Sequence, residues 1–466
     1  MTDRKRLCAA ALLFALLFAL AGCAKRPVRV LPLTDGDIRV FETTEDGLST
    51  RSYEDANGIR LDMMRLTHGG VENTYCFYSE TVPEGSVLRV YDAVSEGWTT
   101  APVTAGTYTT SCAVLELPDG ETRFFFLPVT YLAHGHDVLE QQTSLPGSLD
   151  VRQSDGGFAI TVNGQTDADS FCTDFTMVTA PMLLLDWNSD NWASVWGRYT
   201  DDGEAKWCYT GYYRFTPDNY DPTGDNCYYR CPATFLAREI RWQLGKSVAA
   251  PLVTLAMLDT VMQTQNAAGY FPTMPKSGWL SADYGIGYDF YDTRFNTDLM
   301  DAVLEARAQL DGKLFQRELE RYAAFYTEFA NAHHTETENG GWLVADYWSA
   351  DMTAEPHTSL NHQLAECLLL YRLQDDSGIG AYGELADKLL QAVDDTAPDW
   401  VKDDHDLHYC RYADGSYGAK DYPDLTQKDL VALRRYLIRE RYRTDTALDE
   451  LIREKRIWMD ANGISY

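Results

Sequence analysis

The sequence predicts an α+β multidomain protein, with an N-terminal antiparallel β-sandwich followed by an (α/α) toroid-like helical domain. A change in the residue pattern along the 466 residues supports this prediction. From residue 37 to 186, short runs rich in β-branched and aromatic residues alternate with turn signals such as Asn57-Gly58 and Asp119-Gly120. Many short strands at this spacing are typical of a sandwich or barrel. After Cys231-Pro232, helical patterns continue to residue 466.

The first 23 residues have the pattern of a secretory signal. Arg4-Lys5-Arg6 precede an apolar run from Leu7 to Ala21, which is too short for a permanent membrane helix. The run ends in Leu20-Ala21-Gly22-Cys23, which resembles the bacterial lipobox, whose cysteine becomes the lipidated first residue of the mature chain. An ordinary cleavable signal with a chance cysteine is the alternative. We expect an extracytoplasmic protein, lipid-anchored to a bacterial membrane through Cys23, with residues 24–36 as a tether.

The composition narrows the range of partners. The chain has 40 Lys and Arg residues against 70 Asp and Glu residues, a formal net charge of −30. Such a field repels nucleic acids, and an exported location disfavours nucleotide cofactors, so we expect no nucleic-acid partner and no cofactor. The aromatic content of 12% suits a protein that binds polysaccharide or oligosaccharide, because aromatic faces stack on sugar rings. Large cores and sandwich faces would account for the same residues.

The cysteines give no readable disulfide framework, and Cys367 is expected to be a buried free thiol. Cys227 and Cys231 lack a second pair with zinc-ribbon spacing, so no structural zinc is expected there. No other metal site is predicted.

The helical half begins after an aromatic linking region at 187–232. Val248–Met262 and Leu364–Leu373 are apolar almost all round, whereas Leu314–Asn331 and Tyr382–Val393 carry one apolar stripe. This imperfect alternation of buried and amphipathic helices predicts the toroid-like arrangement over 233–466. Helices are expected at 233–246, 248–265, 296–311, 314–333, 358–374, 381–396, 426–443 and 446–459.

Two long connections carry the candidate site residues. The first spans 269–298 and is too long and too aromatic to be a plain linker. Its catalytic candidates are Tyr284, Tyr291 and Asp292, and Arg294 is a substrate-binding candidate. Asn296 is expected to cap the following helix. A structural ion pair between Asp292 and Arg294 is the alternative to their functional roles.

The second connection leads into the helix expected at 358–374. His362 and Glu366 are four residues apart and share a face, and a neutral histidine held by a carboxylate is a common general-base arrangement. The alternatives are a buried His–Glu hydrogen bond and a divalent metal held together with His357. Asp346 and Tyr347 are further catalytic candidates. The substrate-binding candidates across both connections are Arg294, Trp342, Asn361, Trp279, Trp348, His357 and Glu366.

A family resemblance rests on Gly340-Gly341-Trp342 and on the Ser359-Leu360-Asn361-His362 helix that leads to Leu368-Leu369-Leu370-Tyr371. These motifs resemble the C-terminal part of glucuronyl C5-epimerases. The resemblance implies β domains joined to an (α/α) barrel and action on uronic-acid polysaccharides.

In an epimerase or lyase, Tyr284, Tyr291, Tyr347 or His362 would remove the C5 proton, and Arg294 or Asn361 would neutralise the carboxylate. In a glycoside hydrolase, Asp292 and Asp346 would form the carboxylate pair instead. A non-catalytic surface lipoprotein that binds glycan or serves as a structural partner is the remaining alternative.

Overall fold

A computed structural model describes residues 27–34, 36–68, 73–167, 169–187, 196–197, 204–235, 237, 241 and 244–466. The expected signal and the lipidation site Cys23 lie outside these residues, as do parts of the tether and of the helix expected at 233–246. In the described ranges, no helix is both long and apolar enough to cross a membrane.

The described part of the chain is a mixed α+β structure with antiparallel sheets and eight helices. Its strands are β1 Arg29–Leu31, β2 Ile38–Glu45, β3 Leu48–Glu54, β4 Arg60–Thr67, β5 Asn73–Pro83, β6 Val87–Asp92, β7 Gly97–Pro102, β8 Gly106–Tyr108, β9 Cys112–Glu116, β10 Thr122–Gly135, β11 Val138–Gln141, β12 Ser148–Ser154, β13 Gly157–Thr166, β14 Cys172–Ala180, β15 Ala205–Cys208, β16 Gly211–Phe215, β17 Tyr220–Asp221, β18 Cys227–Arg230, β19 Lys276–Ser277, β20 Tyr291–Asp292, β21 His334–Glu336, β22 Trp342–Val344, β23 Tyr347–Trp348, β24 Thr358–Ser359, β25 His408–Arg411 and β26 Tyr417–Lys420. The helices are α1 Ala250–Met262, α2 Gly278–Tyr284, α3 Thr293–Gln309, α4 Gln316–Ala332, α5 Leu360–Ser377, α6 Gly380–Trp400, α7 Leu425–Arg441 and α8 Thr446–Ala461.

The central strands of a large antiparallel sheet are covered on both faces. Its main path runs β1-β2-β3-β4-β14-β10-β11-β18-β16-β15, with β9, β6 and β7 branching from β10. Successive side chains of a strand point to opposite faces, and β10 shows both environments. Phe124 and Phe126 belong to the core shared with the helices, whereas Phe125 and Leu127 belong to a second core under the sheet β5-β13-β12-β8.

Helix α1 connects the large sheet to the helical half. Twelve of its thirteen residues are buried, and Asp259 accepts hydrogen bonds from Arg29 Nη2 at 2.7 Å and from the Tyr53 hydroxyl at 2.8 Å. The same hydrophobic core contains Leu61 of the sheet and Leu364 of α5. Sheet and helices therefore share one continuous core.

Helices α3, α5 and α7 are parallel and begin at the same end of the helical half. Thr293 pairs with His362, and Arg307 pairs with Asp376, so the contacts between α3 and α5 advance in the same direction. Arg294 at the start of α3 also binds Asp429 near the start of α7. Helix α6 runs back along α5, since Gln363 bonds to Leu389 whereas Cys367 bonds to Ala386.

The structure corrects three expectations. The expected linking region contributes β15, β16 and β18 to the large sheet, because its tyrosines, tryptophan and cysteines suit buried strands. Helix α3 begins at Thr293 with Asp292 as its N-cap, whereas Asn296 uses its side chain to bind the backbone of Phe271. Helix α2 was not expected. The prediction that Cys367 is a buried free thiol is confirmed.

Candidate active site

The candidate site lies where α3 and α5 begin. The short strand β20 pairs with β23 so that Asp292 lies opposite Tyr347. The backbone N–H of Thr293 donates to the carbonyl of Asp346 at 3.0 Å, and the N–H of Asp346 donates to the carbonyl of His357 at 3.0 Å. These backbone bonds bring two distant connections of the chain together at the ends of two parallel helices.

Asp346 is at the centre of the site and has no exposed surface. Its Oδ1 accepts the Ser359 N–H at 2.9 Å, and its Oδ2 accepts the Ser359 hydroxyl at 2.5 Å. His357 Nε2 lies 3.3 Å from Oδ2, and His362 Nδ1 lies 3.7 Å from Oδ1. Burial acts to raise the pKa of Asp346, but the histidines and the Ser359 hydroxyl outweigh it and hold the pKa below its usual value. Asp346 is therefore an ionised carboxylate that lies close to two imidazoles.

The two histidines have different second partners. His357 Nδ1 lies 2.7 Å from the Tyr284 hydroxyl, and His362 Nδ1 lies 2.6 Å from the Thr293 hydroxyl. Because a carboxylate only accepts, the partners favour a proton on His357 Nε2 and donation from the Tyr284 hydroxyl to Nδ1. Burial lowers the pKa of His362 to about 4, despite the opposing effect of Asp346. His362 is therefore neutral at physiological pH.

Asp292 is the second carboxyl group of the site. It caps α3, where its Oδ1 accepts the Phe295 N–H at 3.0 Å, and it is 6% exposed. Burial raises its pKa to about 7, and the charge of Asp346 adds to this effect. One buried carboxyl therefore holds its proton near neutral pH while its neighbour stays ionised. Opposite shifts in a pair of carboxyls are a recurrent way of setting an acid and a base at one site.

Aromatic side chains surround these groups. Trp279 is 37% exposed, and its ring lies 5.8 Å from the His357 ring at an interplanar angle of 21°. The Tyr347 ring lies 5.7 Å from both the His357 ring and the His362 ring. The site thus has an exposed aromatic ring above its buried acid–base groups.

Three further aromatic residues come from the segment after α6. The Tyr409 ring lies 5.6 Å from the His357 ring, the Tyr412 ring lies 6.2 Å from it, and Tyr422 contacts Tyr409 at 5.7 Å. Sequence reasoning missed these residues. The signal was available, because Tyr409 and Tyr412 lie in the connection that follows the next helix hairpin, as the other candidates do.

Several predicted site residues lie elsewhere. Tyr291 has no exposed surface and its hydroxyl lies 3.0 Å from that of Tyr322, inside the helical core. Trp342 stacks on His334 at 3.9 Å, and Trp348 packs against Tyr270 at 6.2 Å. These side chains pack against other partners and do not line the acid–base cluster.

Glu366 and Arg294 also have partners that differ from the predicted ones. Glu366 accepts hydrogen bonds from the Thr297 hydroxyl and, at 3.0 Å, from the Tyr322 hydroxyl, so it does not hold His362. Its burial raises its pKa to about 8. Arg294 does not pair with Asp292.

The guanidinium of Arg294 lies 3.1 Å from Asp298 and 2.6 Å from Asp429. It also donates to the backbone carbonyl of Asn361 at 3.4 Å, while Oδ1 of Asn361 is buried without a hydrogen-bond partner. Asn361 therefore has an acceptor that is not used within the described chain.

A cavity of about 460 Å³ lies away from this cluster, between α7 and α8. Its lining includes Arg434, Arg453 and Asp449, of which Arg434 pairs with Asp449. No histidine lines this cavity, and none of the residues of the acid–base cluster does so either.

No protein-family profile matches this chain, and no curated protein matches it. Among solved structures, the chain is similar to the Lin0763 protein from Listeria innocua, with 13% identity and a TM-score of 0.35 over 51% of this chain and 62% of that one. It is also similar to a family 76 glycoside hydrolase from a bovine Bacteroides thetaiotaomicron strain, with 10% identity and a TM-score of 0.37 over 92% of this chain and 78% of that one.

An unsaturated glucuronyl hydrolase from Bacillus sp. GL1 aligns with 12% identity and a TM-score of 0.34 over 49% of this chain and 60% of that one. For the Listeria and Bacillus proteins, the chain therefore spans less than two thirds of their length. TM-scores this low do not establish a common fold.

Proposed function

We propose that the chain is a carbohydrate-active enzyme, a glycoside hydrolase with Asp292 as its general acid. The observation that carries this proposal is the buried Asp292 carboxyl, with its pKa raised to about 7, beside Asp346, with its pKa lowered. A protonated carboxyl can give its proton to the leaving oxygen of a glycosidic bond near neutral pH.

The base side of the reaction is assigned to His362. Asp346 has no exposed surface, so it cannot touch a substrate and is a positioning residue. The sequence-based pairing of Asp292 with Asp346 as direct acid and base is replaced by a pairing of Asp292 with a neutral histidine. His362 Nε2 makes no hydrogen bond to a described residue, and it can take a proton from an attacking water.

The charges around the site favour a neutral sugar over a uronate. Bond cleavage develops positive charge on the sugar ring, which ionised carboxylates stabilise. The one guanidinium predicted to neutralise a uronate, Arg294, is already paired with Asp298 and Asp429. Trp279 offers the exposed ring on which a sugar face would stack.

A uronate epimerase or lyase is the second candidate, and one observation favours it. The Tyr284 hydroxyl, His357 and Asp346 form a chain of contacts, with 2.7 Å from the hydroxyl to His357 Nδ1 and 3.3 Å from His357 Nε2 to Asp346 Oδ2. Such a chain can carry a proton from the C5 carbon of a uronate through the tyrosine oxygen to the imidazole.

One experiment separates these functions. The protein would be incubated in heavy water with neutral and uronate-containing glycans, and products would be read by NMR and mass spectrometry. We expect new reducing ends from a neutral glycan, lost in Asp292→Asn and retained in Asp289→Asn, whose carboxyl is exposed. Deuterium at C5 or an unsaturated end would support the second candidate, and a bound but unchanged glycan would overturn both.

We further propose that the protein is extracytoplasmic and anchored to a bacterial membrane through lipidated Cys23, as the lipobox-like sequence indicates. The arrangement of sheets and helices is proposed to be a β-sandwich joined to an (α/α) toroid-like helical domain. Metabolic labelling with a fatty acid, compared between the natural chain and Cys23→Ala, tests the anchor directly.

A further inference from the structure

Three side chains from adjacent strands of the large sheet converge, and none of them belongs to the candidate active site. They are His134 on β10, Glu140 on β11 and Cys227 on β18. One ligand atom from each lies within 4.8 Å of the others. His134 Nε2 lies 2.7 Å from Glu140 Oε2.

The strand register explains why these side chains meet. Glu140 lies directly opposite Cys227 in the β11–β18 pair, so both side chains point to the same face. Leu132 lies opposite Glu140 in the β10–β11 pair, and His134 follows two residues later, next to an irregularity between Ala133 and Gly135. His134 lies at this irregularity, and its Nε2 reaches Glu140 Oε2 at 2.7 Å. The convergence is thus built into the pairing of three strands.

The geometry points to a binding site for one divalent ion of the zinc type, and we propose that His134, Glu140 and Cys227 are its ligands. An imidazole, a carboxylate and a thiolate are the three side-chain types that bind zinc, and the thiolate disfavours calcium and magnesium. The thiol gives up its proton to solvent when the ion binds. A water completes the tetrahedron.

The dimensions suit such an ion. In a tetrahedral zinc site, bond lengths of about 2.0–2.3 Å place ligand atoms roughly 3.3–3.6 Å apart. Here His134 Nε2 and Glu140 Oε2 are 2.7 Å apart, and the ligand atoms of all three residues lie within 4.8 Å of one another. Cys227 is fixed in the interior at 1% exposure, whereas the side chains of His134 and Glu140 are each 32% exposed and can rotate to fit the ion. The exposed side gives the ion its entry path and its water.

An ion at this position would brace the β10–β11 hairpin against β18. The same hairpin carries His136, whose ring stacks on Tyr288 at 3.8 Å and 13°. Tyr288 donates a hydrogen bond to Asp221 at 2.6 Å and lies four residues before Asp292. The ion would therefore stiffen a hairpin that contacts the segment leading into the candidate active site. This proposal does not depend on the proposed function.

Cobalt titration tests the site. The full-length protein, stripped with a chelator, would be titrated with Co²⁺ while the near-ultraviolet thiolate-to-cobalt band and the visible bands of tetrahedral cobalt are recorded. We expect one equivalent to bind, with the thiolate band absent in Cys227→Ser and unchanged in Cys76→Ser, whose thiol is exposed. Affinity should fall by roughly 100-fold or more in His134→Ala, since even groups outside the ligand set change affinity 10- to 100-fold.

Thermal unfolding with Zn²⁺ supplies a second readout. A ligand that binds only the folded chain raises its melting temperature, so the natural protein should shift upward with Zn²⁺ and His134→Ala should not. Because His134 is partly exposed, this variant tests the site even if Cys227→Ser does not fold. The proposal is overturned if the thiolate band is absent from the natural protein, or if it persists in Cys227→Ser, or if His134→Ala binds Co²⁺ as tightly as the natural protein.

Discussion

Replacing Asp292 by Asn is expected to remove most of the activity on natural glycosides and to stabilise the fold. Asparagine keeps an acceptor for the Phe295 N–H and is as good an N-cap as aspartate. It has no carboxylic proton to give to a leaving group. The substitution therefore leaves the cap in place and removes the acid.

The gain in stability should grow as pH rises, because the pKa of Asp292 is higher in the folded protein than in the unfolded chain. The carboxyl has an ordinary pKa of 3.8, which stands for the unfolded chain, and a pKa of about 7 in the folded protein. Between these values the folded chain holds a proton that the unfolded chain has released, so burial of Asp292 costs more stability as pH rises. From these two pKa values, the free energy of unfolding of Asp292→Asn should exceed that of the natural protein by about 1 kcal/mol at pH 4.5 and by about 4 kcal/mol at pH 7.

Urea unfolding at a series of pH values measures this difference. The free energy of unfolding of Asp292→Asn minus that of the natural protein should grow by about 3 kcal/mol between pH 4.5 and 7. Asp289→Asn, at an exposed carboxyl three residues earlier, is the matched control and should show no such growth. A pH-independent difference would refute the assignment of Asp292 as a carboxyl protonated by burial.

Three other substitutions separate positioning, binding and structure. Asp346→Asn removes the charge that orients both histidines, so kcat for glycan hydrolysis should fall by roughly 100-fold while KM changes little; an unchanged kcat would remove Asp346 from the mechanism. Trp279→Ala removes the exposed stacking ring, and steady-state kinetics should show KM raised by roughly tenfold with kcat nearly constant. Lys455→Met leaves Asp406 and Asp421 buried without their shared partner, and urea unfolding should show a loss of about 3–5 kcal/mol, whereas the exposed Lys428→Met should cost little.

The sequence predicted the fold at the level of elements. Seven of the eight described helices fall where apolar periodicity predicted them, and the strands before residue 180 follow the turn signals. The sequence could not predict how the large sheet and the helices contact each other. Asp259 lies in an apolar helix, and nothing in its neighbourhood in the sequence indicates that its partners are Arg29 and Tyr53, more than 200 residues away.

For the candidate site, the sequence predicted the right segments and some wrong partners. Asp292, Asp346, His357 and His362 were all identified, because polar residues concentrate where two helices begin. The pairing of His362 with Glu366 was inferred from helical spacing. In the structure, both side chains instead face the parallel helix α3. His362 contacts Thr293, and Glu366 accepts a hydrogen bond from Thr297.

Tertiary burial decides other cases that the sequence leaves open. Tyr291 and Asp292 are adjacent, but strand alternation directs Tyr291 into the core and leaves Asp292 at the site. The group of His134, Glu140 and Cys227 has no recognisable spacing in the sequence, because strand register alone brings Cys227 to the other two residues.

The dependence of Asp292→Asn activity on the leaving group tests the central claim most directly. A general acid is needed when the departing sugar oxygen must be protonated, and it is dispensable when the leaving group is a stable anion. Once incubation with the different glycans has identified the sugar that is cleaved, hydrolysis of its natural glycoside and of its 2,4-dinitrophenyl glycoside would be compared. We predict that Asp292→Asn loses activity on the natural glycoside by roughly 100-fold or more and keeps most of its activity on the dinitrophenyl glycoside. Equal losses on both substrates would contradict the assignment of Asp292 as the general acid.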